Sequence, residues 1–377
     1  MKQESYRSTW TVVHLDRVTH NVKQFKRHLD PETKFMAVVK ADGYGHGAVE
    51  TAKAALKGGA SHLAVAVLEE GIALREAGIK EPILLLSPIE KEAVAAAVQH
   101  DLSMTVFSRE IAEEAVRIRK ESKIPVHVHL KIDTGMNRIG VRTKEEATSL
   151  LHILEEGRVQ TEGIFTHFAD ADNLDDSSFT YLQYRNFMEI VQFCEDQGFK
   201  IPIRHCCNTA ATLAYPELQL DMVRVGIGLY GLFPTVEFMG MLPLEPVMEF
   251  KTTILALKTI SHDQTVGYGR TFTASANTKI ATIPVGYADG YSRHLSNKGF
   301  VSIRHKRIPI AGLICMDQTM LDVSSLPDVQ EEEEVVLFGD PANGDVSVYD
   351  VAEWAGTIHY EIVCDISKRV PRIYRLD

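Results

Sequence analysis

From residue 16 to about residue 233 the chain alternates short apolar runs with longer segments whose apolar residues recur at helical spacing. This alternation is typical of repeated β-α units, in which helices cover a parallel sheet. Eight parallel strands with crossover helices close naturally into a barrel whose chemistry lies on the loops after the strands. The sequence therefore predicts a (β/α)8 barrel in the α/β class, with an open eight-stranded sheet as the alternative. The predicted strands are residues 35–40, 62–67, 83–87, 103–107, 125–132, 161–168, 203–208 and 222–230.

The pattern changes after Phe233, where prolines and glycines interrupt the chain between residues 239 and 246. Alternating apolar runs with little helix between them then predict a C-terminal, mostly-β domain. We expect the barrel to span residues 1–237 and the β domain residues 238–377, and whether the first dozen residues pack with the β domain stays open. The predicted elements of the β domain are strands at 248–260, 279–285, 299–305, 307–315, 319–323 and 335–338 and a helix around 348–354.

The first predicted strand ends in Lys40, which is followed by three glycines within residues 43–47. A lysine at the carboxyl edge of a sheet is partly desolvated and loses its proton more easily than a surface lysine, and a Schiff base needs such an amine. A lone lysine there is more often an ordinary solvated cation. The glycines could also form a nucleotide-type phosphate loop, with Glu69 or Glu70 on the ribose, but their spacing is not the dinucleotide fingerprint.

Further polar residues follow the later predicted strands, so we expect them to meet Lys40 at one mouth of the barrel. Loops after the seventh and eighth strands of such barrels often hold a phosphate, and hydroxyl groups and backbone amides suit that role. Clustered cations would repel one another unless anionic groups lie among them, and a phosphorylated cofactor supplies such groups. The residues in question are Lys131, Asp133, Arg138, His167, Asn208, Thr209, Arg224, Gly226 and Ile227.

These residues also have simpler structural interpretations. His167 alone would more often be a hydrogen-bonded structural histidine. Arg224 could be an ion-pair partner of the neighbouring Asp221. Lys131 and Asp133 lie two apart on a strand, face the same side and could form a structural ion pair.

Composition and short motifs exclude several classes of function. The net charge of -11 argues against a nucleic-acid partner. No apolar run approaches the length of a membrane helix and the N-terminus is not a signal peptide, so we expect a cytoplasmic protein with no membrane partner. The five cysteines fit neither a disulfide ladder nor a zinc site and are expected to be reduced and buried. His127 and His129 share a side of one strand, but spacing supplies no third ligand, so no catalytic metal is expected.

Several motifs in the chain resemble those of the bacterial alanine racemase family. Residues 38–47, Val-Val-Lys-Ala-Asp-Gly-Tyr-Gly-His-Gly, are similar to the pyridoxal-phosphate attachment motif of that family. The resemblance spans nearly the whole chain and keeps the same order. It continues through residues 130–138, 165–169, 224–231, 266–271, 286–290, 314–318 and 360–364.

The resemblance implies an enzyme that uses pyridoxal 5′-phosphate and works as a homodimer with shared active sites. Lys40 would hold the cofactor and act as the base on one face of the substrate Cα. Tyr268, from the second subunit, would be the base on the other face, and His167 would tune Tyr268 by hydrogen bonding. Arg224 would lie against the pyridine nitrogen, which it cannot readily protonate.

The same resemblance implies roles for the remaining site residues. Lys131 stands where family members often carry a carbamylated lysine. Thr209 stands where the family commonly has serine, and it keeps the hydroxyl. The cofactor would be bound by Lys40, Tyr44, Arg138, His167, Asn208, Thr209, Arg224, Gly226, Ile227 and Tyr360, and the amino-acid substrate by Arg138, Met316, Asp317 and Tyr287.

The function implied is racemisation of L- and D-alanine, which would supply D-alanine for peptidoglycan. Racemisation of serine or of a broader set of amino acids on the same scaffold is the alternative, since pocket size cannot be read from sequence. A decarboxylase shares the architecture but normally places an acidic residue on the ring nitrogen, whereas this chain has Arg224. A non-catalytic protein that binds pyridoxal phosphate would leave the second domain without a purpose.

Overall fold

The computed structural model describes residues 6–376, which divide into two compact units. The larger unit comprises residues 17–43 and 48–245. The smaller unit comprises the described residues of segments 1–16, 44–47 and 246–377. The chain therefore passes from the larger unit into the smaller one for residues 44–47 and then returns to the larger unit.

The strands, in chain order, are β1 (Thr9–His14), β2 (Lys34–Val38), β3 (His62–Val65), β4 (Ile83–Leu85), β5 (Ser103–Val106), β6 (His127–Lys131), β7 (Gln160–Phe165), β8 (Ile203–His205), β9 (Met222–Val225), β10 (Met248–Thr253), β11 (Ala256–Ile260), β12 (Thr265–Val266), β13 (Phe272–Thr273), β14 (Thr278–Ile283), β15 (Phe300–Ile303), β16 (Lys306–Pro309), β17 (Thr319–Asp322), β18 (Glu334–Phe338) and β19 (Arg372–Arg375).

The helices are α1 (Leu15–His28), α2 (Lys40–Tyr44), α3 (Ala48–Gly58), α4 (Leu68–Glu76), α5 (Val94–Gln99), α6 (Arg109–Ser122), α7 (Lys144–Glu156), α8 (Ser178–Asp196), α9 (Thr209–Ala214), α10 (Val348–Ala355) and α11 (His359–Cys364). Within the described range, none of these helices is both long and apolar enough to cross a lipid bilayer.

The larger unit is a parallel eight-stranded barrel with the strand order β8-β7-β6-β5-β4-β3-β2-β9. Two backbone hydrogen bonds join the ends of this order, from the amide of Asp221 to the carbonyl of Arg204 at 3.2 Å and from Arg224 to Cys207 at 3.0 Å. The predicted barrel is therefore confirmed over the open sheet. All eight predicted strands are present, and each is shorter than predicted.

Residue chemistry explains why these strands and helices form. The three residues of β4 are almost completely excluded from water, as expected for a parallel strand covered on both faces. α6 buries Ala112, Ala115 and Ile118 on one side. α7 begins with a capping box, in which Thr143 and Glu146 each accept a hydrogen bond from the other's backbone amide. The outer helices thus cover the barrel with their apolar faces.

The smaller unit contains a six-stranded sheet in the order β16-β15-β18-β10-β1-β19 and a three-stranded sheet in the order β11-β14-β17. The predicted C-terminal β domain is confirmed, and so is its helix, α10. The predicted strand 248–260 is in fact two strands, β10 and β11, and the predicted strand 307–315 covers only β16. β1 and β19, which sequence reasoning missed, pair in parallel within the large sheet.

Candidate active site

Lys40 opens α2, which is a left-handed turn after β2 and not a regular right-handed helix. The strand ends at Val38, so the prediction that Lys40 is its last residue was wrong by two positions. Residues 41–44 all have positive φ, between 51° and 63°. This conformation costs about 1–2 kcal/mol per residue with a Cβ, and such strain persists where surrounding structure holds it, often at functional sites. The turn leaves Lys40 half-buried.

Carboxylates hold this turn in place. Glu70 accepts a hydrogen bond from the Ala41 amide at 2.6 Å through Oε1, and another from the Ala66 amide at 2.8 Å through Oε2. Asp42 accepts one from the Ala48 amide at 3.0 Å. Glu70 is therefore the acceptor that links the turn to the loop after β3, a role that spacing alone did not indicate.

Arg224, on β9, is 3% exposed and its charge lies inside the barrel. Its terminal nitrogens donate to Nδ1 of His205 at 2.9 Å, to the carbonyls of Thr166 at 2.8 Å and Cys206 at 3.0 Å, and to Nδ1 of His167 at 3.3 Å. Burial lowers the pKa of Arg224 to about 10, so the guanidinium stays charged at neutral pH.

Asp221, the alternative partner of Arg224, instead forms a two-pronged ion pair with Arg204. Every side-chain hydrogen bond of Arg224 to a described residue uses Nη1 or Nη2, and none reaches a carboxylate. The Nε–H of Arg224 therefore remains available to a ligand.

Lys131, the last residue of β6, is also buried, at 4% exposure. Its amine donates to the carbonyl of Ile132 at 2.7 Å, and no ion pair with Asp133 occurs among the described residues. The Asp133 carboxylate instead accepts from two amides of its own loop. Burial, with the nearby charges of Arg224 and Arg138, lowers the pKa of Lys131 to about 7.

His167 follows β7 in the same part of the barrel. Burial lowers its pKa well below the usual range, and the charges of Arg224, Lys131, Arg138 and Lys40 lower it further. The structure thus brings these five predicted residues into one electrostatic neighbourhood, in which the imidazole is neutral.

The loops after β8 and β9 offer backbone amides. Asn208 caps α9, its side chain accepting from Ala211 at 2.9 Å, and the Thr209 hydroxyl accepts from the Gly226 amide at 3.1 Å. Within residues 6–376 the amide of Ile227 has no hydrogen-bond acceptor. Amides of this kind at helix starts suit an anion, so the predicted phosphate residues are grouped as expected of a binding cradle.

In the smaller unit, Tyr44 and Tyr360 lie together, with ring centroids 6.3 Å apart. Burial raises the pKa of Tyr44, and the Cys364 thiol adds to the effect. Gly45 follows with φ of 80°, and a Cβ there would lie 2.1 Å from the carbonyl oxygen of Val363. The chain can therefore approach α11 this closely only with glycine at position 45.

The other predicted residues of the smaller unit, Tyr268, Tyr287, Met316 and Asp317, line one cavity of about 940 Å³. Tyr268 is 74% exposed and Met316 53% exposed. The amide of Met316 has no acceptor among the described residues, while its carbonyl accepts from Ala288 at 3.1 Å. This surface therefore presents a phenol and a free amide.

Sequence reasoning missed His205 and Glu162, which lie in line with Arg224 inside the barrel, and it considers His129, between them, only as a metal ligand. Among the described residues, no group of three or more acidic, histidine or cysteine side chains could hold a metal ion. The expectation that all cysteines are buried was wrong for Cys315, which is half-buried, and for Cys364, which is exposed.

Two family models match the chain. "Alanine racemase, N-terminal domain" matches residues 13–234 and "Alanine racemase, C-terminal domain" matches residues 247–374. A similar protein is alanine racemase 2 of Oceanobacillus iheyensis, 49% identical over 99% of this chain and 95% of that protein. Alanine racemase 2 of Bacillus subtilis is 43% identical over 98% of this chain and 95% of its own length.

Solved structures are similar as well. The crystal structure of alanine racemase from Bacillus anthracis with bound L-Ala-P has a TM-score of 0.93 and 37% identity, covering 99% of this chain and 96% of that one. The alanine racemase of E. faecalis has a TM-score of 0.93 and 38% identity, covering all of both chains.

Proposed function

The chain belongs to the alanine racemase family, and from that premise we propose that it interconverts L-alanine and D-alanine with pyridoxal 5′-phosphate as cofactor. The observation that carries the proposal is the cluster at the carboxyl end of the barrel, where Lys40, Arg224 and the amide of Ile227 occur together with the neutral His167. We further propose that the D-alanine is supplied for peptidoglycan.

The donor groups of the barrel fit this cofactor. Lys40 would bond to its aldehyde carbon, and the Nε–H of Arg224 would donate to its ring nitrogen. The amide of Ile227 and the hydroxyl of Thr209 would bind the phosphate, while the Gly226 amide donates to that hydroxyl and Asn208 keeps the helix start in place. Tyr44 and Tyr360 would complete the phosphate site, and Arg138 would contact the phenolic oxygen.

When bound, the cofactor withdraws electrons from the substrate Cα and so makes its proton easier to remove. The Lys40 amine would take or return the proton on one face. The phenol of Tyr268 of the partner subunit would do so on the opposite face, tuned by His167. Two bases on opposite faces meet the geometric requirement of racemisation, because the proton leaves from one side and returns from the other.

The surface of the smaller unit would contribute to substrate binding in the partner. The free amide of Met316 would receive the substrate carboxylate, with Asp317 and Tyr287 beside it and Arg138 in the barrel. A site built from residues of two subunits implies a homodimer, in which the segment after residue 237 completes the site of the other subunit. We propose that the enzyme acts in the cytoplasm, where an exposed cysteine outside any disulfide, such as Cys364, stays reduced.

Arg224 supports racemisation over decarboxylation. A guanidinium holds its proton tightly, so it hydrogen-bonds a ring nitrogen without transferring a proton to it. The electron sink is then weaker than one with an acidic residue at this position. No carboxylate among the described residues bonds to Arg224, which disfavours the decarboxylase alternative.

Lys131 would carry a carbamate. A buried amine whose pKa is about 7 is about half unprotonated at neutral pH, and the unprotonated fraction can attack the carbon of CO2, losing one proton as the N–C bond forms. The product is an anion between Arg138 and Arg224, so it would replace a repulsion by an attraction.

Turnover on single enantiomers tests the proposed function. Loss of circular dichroism should be fastest for L- and D-alanine within a panel that includes serine and lysine. Equal rates on serine or lysine would contradict the alanine assignment and favour the broad-specificity alternative. The visible absorption spectrum and borohydride reduction test the cofactor separately, because reduction should fix it to the peptide that contains Lys40. Protein that stays colourless with added pyridoxal phosphate would contradict the cofactor assignment.

A further inference from the structure

A row of side chains crosses the barrel interior from the buried Arg224, through two buried histidines, to Glu162, a half-buried carboxylate on β7. Nη1 of Arg224 lies 2.9 Å from Nδ1 of His205, and Nε2 of His205 lies 2.9 Å from Nδ1 of His129. Nε2 of His129 lies 3.7 Å from the Glu162 carboxylate. The two imidazoles are 0% and 2% exposed, so water does not compete for the contact between them.

The direction of hydrogen bonding along this row follows from Arg224. A guanidinium has no acceptor, so Nδ1 of His205 must accept. A neutral His205 then carries its proton on Nε2 and donates to Nδ1 of His129. His129 in turn carries its proton on Nε2, which faces Glu162. Burial, together with the charge of Arg224, lowers the pKa of His205 well below the usual range, which favours the neutral ring.

Glu162 terminates the row as an anion. It accepts a hydrogen bond from the Ser103 hydroxyl at 2.6 Å, and Nδ1 of His127 lies 2.9 Å away. Burial alone would raise the pKa of the Glu162 carboxyl, but the nearby imidazoles of His127 and His129 and the hydrogen bond from Ser103 lower it below its usual range. An ionised carboxylate can only accept hydrogen bonds. Both ends of the row therefore require that donation runs from Arg224 toward Glu162.

The ring of His205 is also fixed by packing. It stacks on Phe165, with centroids 4.8 Å apart and the ring planes 9° from parallel. Because the ring cannot turn freely, its tautomer decides whether Nδ1 accepts from Arg224 or opposes it with a second N–H. Without an anion at the far end, His129 could carry its proton on Nδ1. Two N–H groups would then face each other between His129 and His205.

We propose that Glu162, acting through His129 and His205, is a positioning residue for Arg224. It fixes both histidines as Nε2–H tautomers, so that the guanidinium keeps an acceptor for Nη1 and directs Nε–H toward the ligand. The consequence for catalysis rests on the proposed function, in which that N–H meets the ring nitrogen of the cofactor. The tautomers themselves do not depend on it.

Nitrogen NMR of the full-length protein labelled with 15N-histidine tests the tautomers, before and after pyridoxal phosphate is added. The signals of His129 and His205 are assigned by their loss in H129N and H205N. The wild type should show both as Nε2–H, with Nδ1 unprotonated. Glu162→Ala should convert His205 to a mixture of tautomers, whereas Glu162→Gln, which keeps an acceptor oxygen, should preserve the wild-type form. Glu156→Ala, at an exposed position on α7, is the matched control.

Steady-state kinetics supply the second measurement. In Glu162→Ala, kcat for alanine should fall about tenfold, the lower end of what loss of an outer hydrogen-bond partner costs at other sites, with KM nearly unchanged. A His205 that is Nδ1–H in the wild type, or unaltered in Glu162→Ala, would overturn the proposal, as would an altered tautomer with unchanged kcat. Glu162→Gln keeps the proposal testable if Glu162→Ala does not fold. A Glu162→Gln variant whose His205 is protonated on Nδ1 while its kcat is unaltered would overturn the proposal. A wild type that does not racemise alanine refutes the proposed function alone.

Discussion

At the residue scale, Tyr268 is an exposed phenol that we propose acts as a base in the active site of the partner subunit. Replacing it with phenylalanine removes only the oxygen. We expect cofactor binding to be retained. The rate of racemisation, measured by circular dichroism, should fall about 10²–10⁴-fold in both directions, which is the usual contribution of a general acid or base. Tyr6→Phe, at a 96% exposed position, is the control. Unchanged turnover in Tyr268→Phe would refute the two-base assignment.

Lys131 makes the pH dependence of folding stability testable. Its pKa is about 7 in the folded protein, against an ordinary 10.5, so between these values the unfolded chain binds more protons. Stability must then rise with pH across this window, because the buried amine is charged below pH 7 and neutral above it. Lys131→Met should remove that slope. In CO2-free buffer below pH 7, the free energy of unfolding of Lys131→Met should exceed that of the wild type by at most about 5 kcal/mol. This limit is the free-energy equivalent of the full pKa shift.

Urea unfolding at pH 6 and pH 9 measures this difference. The gain of Lys131→Met over the wild type should be larger at pH 6 and shrink toward pH 9. Lys57→Met, at an exposed position on α3, should show no such trend. Equal gains at both pH values would mean that Lys131 keeps an ordinary pKa.

At the scale of elements, the left-handed turn after β2 depends on an acceptor from the loop that follows β3. Glu70→Ala leaves the amides of Ala41 and Ala66 without their partner. We expect a loss of stability of about 1–3 kcal/mol, the cost of losing hydrogen bonds to a charged group, together with weaker retention of pyridoxal phosphate because Lys40 is less well oriented. Thermal unfolding and absorbance after dialysis measure the two effects.

The neighbouring Glu69 offers a matched comparison, since it is exposed on the same helix and bonds to neither amide. Glu69→Ala should behave like the wild type in both measurements. If the two alanine variants behaved alike, the turn would be held by its own sequence and not by Glu70.

At the scale of the whole molecule, a site shared between two subunits predicts complementation. Lys40→Ala and Tyr268→Phe should each be nearly inactive alone. After unfolding and refolding together, mixed dimers should contain one site with both wild-type residues, which restores up to about a quarter of wild-type activity for random C2 pairing. The two variants refolded separately and then mixed are the control. No recovery in the co-refolded sample would contradict a site built from two chains.

The sequence predicted the architecture at this scale better than the ends of its elements. Apolar runs located all eight barrel strands, because a parallel strand covered on both faces is mostly apolar, even where single polar residues face the barrel interior. The same runs continue past the last ladder hydrogen bond, since the residues after a strand are often buried too. That is why the strand predicted at 222–230 ends at Val225 and continues as a 3-10 turn.

What the sequence alone determined, then, is the order of strands and helices, the family motifs and the types of side chain at the barrel mouth, because these are recorded locally along the chain. Which partners those side chains take was decided only by the tertiary structure. Asp221 pairs with Arg204 and not with Arg224, and His129 forms a hydrogen bond with His205, which lies 76 residues away in the chain. Such contacts depend on strand register and side-chain direction inside a closed barrel, and no local pattern encodes them.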